Sequence, residues 1–169
     1  MIMTRLPSKD LKKFLLASVV AVGFALTAGP SLAATSDTIQ LSSTVAQDCS
    51  ITVANKDGVL DIVAGTTNKK IADITESCNE TAGYTITISS ANAGNLEGTG
   101  ALAGNAGASV DYAVSYDTVS AADLATNATL ARGGAVFGSA NGLYVTVGGS
   151  STRLAGSYED TITVSIAAN

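Results

Sequence analysis

The sequence contains no histidine in 169 residues. That removes the Ser-His-Asp and Cys-His arrangements of nucleophilic catalysis and the imidazole ligands of most zinc sites. Cations are scarce, nine Lys and Arg against fourteen Asp and Glu. Four of them, Arg5, Lys9, Lys12 and Lys13, sit together at the N-terminus. The rest of the chain has no basic patch, which argues against nucleic acid and anionic membranes as partners. The apolar run at residues 14–28 is shorter than the ~20 residues that cross a bilayer. Beyond it no stretch carries helical periodicity, and only two cysteines are present, Cys49 and Cys78.

The N-terminus reads as a secretory signal peptide over residues 1–34. A cationic start precedes the short apolar run, Gly29-Pro30 ends it, and Ser31-Leu32-Ala33-Ala34 offers small residues for cleavage after Ala33 or Ala34. The mature chain keeps five cations (Lys56, Lys69, Lys70, Arg132, Arg153) against thirteen acids, a net charge of −8. Its length fits one domain with a real core. In the oxidising space that export implies, Cys49 and Cys78 read as a disulfide. Free thiols or half of a metal site are the rival readings.

What is present is alternation of period two, rich in β-branched residues and broken by turn residues. Ile39 and Leu41 alternate with Thr38, Gln40 and Ser42, in a run that continues to Val45. Ile51 and Val53 follow Cys49. An apolar piece follows at Val59-Leu60-Asp61-Ile62-Val63, and a further run holds Ile71 and Ile74. Tyr84, Ile86 and Ile88 form one face, as do Val110, Tyr112, Val114 and Tyr116. Leu143, Val145 and Val147 form another. The last strand, over residues 158–168, places Ile162, Val164 and Ile166 together. Turns are expected at Asn55-Lys56-Asp57-Gly58, Gly133-Gly134 and Asn141-Gly142, with a loop and one short strand over 91–108. Strands at this spacing predict an all-β, two-sheet sandwich.

Candidate chemistry is thin. No Ser-x-x-Lys context occurs outside the leader. Glu159-Asp160 are neighbours on a strand, point to opposite faces and read as turn or solvent-facing residues. Asn55-Lys56-Asp57-Gly58 lacks EF-hand spacing, and Gly98-Thr99-Gly100 precedes no helix. The tyrosines read as sheet packing. No enzyme, metal, cofactor or small-molecule substrate is expected. A structural or binding module remains.

The closing stretch Gly156-Ser157-Tyr158-Glu159-Asp160-Thr161, followed by an alternating strand, resembles the end of chaperone–usher pilus subunits. It is closest to the archaic type, which is related to the spore coat U domain. The segment from Thr38 to Cys49, an alternating extension leading into a strand with a cysteine, is similar to a pilin N-terminus. Cys78 stands where the partner cysteine falls in those families. The chain departs from them in ending Ala167-Ala168-Asn169 and not on an aromatic residue.

The resemblance implies an immunoglobulin-like sandwich that lacks its final strand and is completed by a donor strand. Residues 35–47 would be the donor extension, with Ile39, Leu41, Ser43 and Val45 facing the pockets. Residues 48–169 would be the pilin-like domain, its acceptor groove bordered by Tyr158, Ile162, Val164 and Ile166. The implied function is a surface pilus subunit that polymerises by donor-strand exchange and contributes to adhesion. The implied partners are copies of itself or related subunits, a periplasmic chaperone and an outer-membrane usher. The route would lead through the periplasm to the cell surface. The alternative is a monomeric secreted or surface sandwich, coat-like or a small adhesin, whose N-terminal strand pairs in cis.

Overall fold

The computed structural model describes residues 35–169, so the signal-peptide expectation lies outside the described residues. Ten strands follow in chain order: β1 (Cys49–Ala54), β2 (Thr66–Cys78), β3 (Tyr84–Ser90), β4 (Asn95–Gly98), β5 (Ser109–Tyr116), β6 (Val119–Ala122), β7 (Ala128–Arg132), β8 (Val136–Val147), β9 (Tyr158–Glu159) and β10 (Ile162–Ala168). One 3-10 turn, Gly100–Leu102, is the only helical piece among the described residues. The chain divides into two units between Ser42 and Ser43. In the first, residues 35–42 form no helix or strand, and Ile39 and Leu41 are exposed.

The second unit is the sandwich predicted from the alternation. One sheet has seven strands along the path β1-β2-β8-β5-β4-β9, with β6 also on β5. The other has three, in the order β10-β3-β7. All pairings are antiparallel. The core lies between the sheets. Ala72, Ile74 and Cys78 of β2, Val110 to Tyr116 on alternate positions of β5, and Leu143, Val145 and Val147 of β8 meet Tyr84, Ile86 and Ile88 of β3. These are the faces that period-two spacing selects, because successive strand side chains point to opposite sides.

Cys49 and Cys78 stand opposite one another across the β1–β2 ladder and form a disulfide. Gly83 turns the chain into β3 at a φ of 91°, and a Cβ there would meet the Arg132 carbonyl oxygen at 1.9 Å. Only glycine fits that approach.

Four expectations change. The apolar piece at residues 59–63 is not a strand and leads into a turn at residues 62–64, where the Asp61 carboxylate accepts from the backbone N–H groups of Val63 and Ala64 at 2.9 and 2.8 Å. Asn141-Gly142 is not a turn. Both residues lie inside β8, opposite Ile74 and Asp73, where long-range pairing overrides the local signal. The run at 158–168 is two strands, with β9 on the large sheet and β10 on the small one. Finally, β6 and β7 appear where the sequence shows no alternating apolar run.

Candidate functional site

The first feature is an open groove between sheet edges. β1 and β10 are each the outermost strand of their sheet and pair on one side only. Their inward residues are half-buried: Cys49, Ile51 and Val53 on β1, and Ile162, Val164 and Ile166 on β10. The corresponding residues of β3 and β5 are fully buried. The difference is physical: β3 and β5 have neighbours on both sides, whereas β1 and β10 each miss one. A cavity of about 400 Å³ opens there, lined by Val53, Leu60, Ile71, Leu96, Ile162 and Val164 and by the polar residues Lys56 and Asp160. β10 carries no proline or charged side chain to protect its free edge. Tyr158, placed by sequence on the same strand as Ile162, belongs to β9 and donates its hydroxyl to the Leu154 carbonyl at 2.9 Å.

Asp160 sits where the chain crosses between sheets. It accepts from the Tyr112 and Ser90 hydroxyls, each at 2.5 Å, and from the Asn92 backbone N–H at 3.0 Å. The expectation of a turn or solvent-facing carboxylate holds for exposed Glu159 and fails for Asp160, which is half-buried and fixes one end of the groove. Burial, reinforced by the Asp160 carboxylate, holds the Tyr112 hydroxyl well above its ordinary pKa.

The second feature is a buried polar node that no motif marks. Glu76 on β2 has no solvent exposure. Its carboxylate accepts from Arg132 Nε and Nη2 at 3.0 and 2.7 Å, from Tyr84 at 2.6 Å, and from the Tyr116 hydroxyl. Asn141 Nδ2 approaches at 3.4 Å, and Arg132 Nη1 also donates to Asp117 at 2.5 Å. The donors come from β3, β5, β7 and β8, so one carboxylate ties both sheets together. Desolvation pushes the Glu76 pKa up, but Arg132 and the two tyrosines outweigh it and hold the carboxyl below its ordinary value of 4.5. Burial and the Glu76 charge push Tyr84 up to about 12. With its oxygens occupied and no access to solvent, Glu76 cannot serve as a general base. The only signal of it in the sequence is a charge at an inward position of a strand, two residues before Cys78.

The four expected donor residues fall on a segment without secondary structure, and Ile39, Leu41 and Val45 are exposed at 90%, 91% and 83%. The chain is fixed just after them. Asn79 accepts from the Asp48 backbone N–H at 2.8 Å and donates to the Ala46 carbonyl at 2.7 Å, beside the disulfide. No group of three or more His, Cys, Asp or Glu among the described residues is arranged to hold a metal.

The Spore Coat Protein U domain model matches residues 35–165. Among solved structures, the E. coli Hda pilus minor tip subunit HdaB is similar at 13% identity, covering 69% of this chain and 79% of that one, with a TM-score of 0.36. No curated protein matches the chain.

Proposed function

Because the chain belongs to the Spore Coat Protein U domain family, we propose that it is a structural subunit of a surface pilus that polymerises by donor-strand exchange. One observation carries this reading. The sandwich has a groove between two unpaired edges, β1 and β10, and the same chain carries an exposed alternating segment at residues 38–45. A strand added to a free edge gains main-chain hydrogen bonds along its length, and its alternate side chains fill the pockets beneath. Ile39, Leu41 and Val45 are the pocket fillers, each stabilising the complex by about 1.5–3 kcal/mol when fully buried. Ser43 leaves its pocket lightly filled.

The donor of one copy enters the groove of the next. This contact is head-to-tail and does not close, so it builds a filament. Until the groove is filled, the free β10 edge is an aggregation hazard, which supports the need for a periplasmic chaperone to cover it and an usher to hand it on. Adhesion follows from display of the filament at the cell surface. The fully satisfied Glu76 node supports a scaffold and no reaction.

The test is deletion of residues 35–45. With its chaperone covering the groove, the truncated protein is expected to remain a folded, chaperone-bound monomer, while the full mature chain forms SDS-resistant ladders. Ladders from the truncated protein would show that the segment is not the donor.

A further inference from the structure

The rim of the groove at its Ile162 end is acidic. Asp160 lines the cavity and also an adjoining depression of about 540 Å³, which shares Gly58, Leu96 and Thr161 with it and is lined by Glu97 and Glu159 as well. Lys56 is the one cation lining either space. It is exposed, and among the described residues the ion pairs use Lys69, Lys70 and Arg132 and leave Lys56 out. Its neighbour Asp57 is held by Lys69 at 2.9 Å.

An incoming donor brings acids of its own. Asp37 and Asp48 flank the apolar positions 39–45. Every ladder in the sandwich is antiparallel, and an antiparallel pair is slightly the more stable per residue. A donor laid antiparallel on β10 with Val45 beside Ile162 brings Gln47, an amide, level with Asp160. Asp48 then falls level with the exposed Glu159, on the outward face just past the groove, where Lys56 is the cation available to offset them. A parallel donor, with Ile39 beside Ile162, instead brings Asp37 level with the half-buried Asp160, two carboxylates together on the inward face. Asp48 is also presented by a fixed backbone, since its N–H is bound to Asn79 at 2.8 Å.

We infer that Lys56 is a specificity residue of the acceptor groove, which pairs with Asp48 of the incoming subunit and sets the direction and register of the donor. The inference rests on the donor-strand reading. It deepens that reading by naming the side chain that selects an acidic-flanked donor on an otherwise repulsive rim. Charge placed across an interface governs association rate and partner choice more than final affinity.

The experiment follows the initial rate of SDS-resistant polymer formation by the full mature chain at low and high salt. Lys56→Glu is expected to slow it about ten-fold at low salt, and high salt is expected to shrink the difference. Lys56→Ala should slow it about two- to five-fold, as for an exposed pair. The swap Lys56→Glu/Asp48→Lys should recover to within about two-fold of wild type, and Lys56→Glu/Asp37→Lys should not. Monomer unfolding curves should be unchanged in the Lys56 variants, because that side chain is exposed and in no ion pair among the described residues. Wild-type rates in Lys56→Glu, or rescue by Asp37→Lys in place of Asp48→Lys, would overturn the inference while leaving donor exchange intact. Absence of polymer from the wild-type chain would instead remove donor exchange itself.

Discussion

Glu76 shows what one residue decides in this sandwich. A fully buried carboxylate is unfavourable alone, and it is tolerated here because Arg132 meets it with two N–H groups while two tyrosines complete its shell. Removing one partner leaves an uncompensated buried charge. Arg132→Ala and Glu76→Ala are each expected to lower unfolding free energy by about 3–5 kcal/mol in denaturant titrations. Acid should act in the same direction. The folded-state pKa of Glu76 lies below its ordinary 4.5, so the stability it contributes is present above pH 4.5 and lost as pH falls through the lower folded value. Unfolding curves between pH 6 and about pH 3 should show this loss, and Glu76→Gln should flatten it. Asp57 and Asp73 are lowered too, by Lys69 and by Asn55 with Lys70, and they titrate over the same range in variant and wild type. An undiminished acid transition in Glu76→Gln would show that those exposed pairs dominate.

At the scale of elements, the strands with strict alternation were legible: β1, β3, β5 and the second half of β8 follow directly from residues such as Tyr84, Ile86 and Ile88. What was hidden depends on long-range pairing. Asn141-Gly142 has the local composition of a turn, yet it lies in mid-strand opposite Ile74 and Asp73. β7 offers only Leu130 and Arg132 as inward side chains of any size, and Arg132 is accommodated on that face because Glu76 and Asp117 accept from it. Asp160 could not be told from Glu159 by spacing, because its role comes from Tyr112 and Ser90, distant in sequence. Two predictions belong here. Asp160→Ala strands the buried Tyr112 hydroxyl and should cost about 1–3 kcal/mol, read from the shift in denaturant midpoint. Replacing Cys49 and Cys78 by Ser opens a loop with a sequence separation of 29 and should cost about 3.5 kcal/mol on the loop-entropy model. An unchanged midpoint in either variant would mean that the bond in question does not hold its strands.

For the whole molecule, the proposed donor exchange rests on an open sheet edge. Ile162, Val164 and Ile166 are half-buried on a strand with one open edge, while Ile39 and Leu41 are exposed at the other end of the sequence. The sequence showed both alternating runs. The unpaired condition of β10 is a property of sheet order, which no local pattern encodes. A photo-cross-linking residue in place of Leu41, in polymer formed from an equal mixture of isotope-labelled and unlabelled mature chains, asks whose groove the segment enters. Donor exchange between subunits predicts cross-links from position 41 to residues 162–168, with labelled and unlabelled peptides joined in about the statistical proportion. Cross-links confined to peptides of the same label would place the segment in its own groove and contradict donor exchange between subunits.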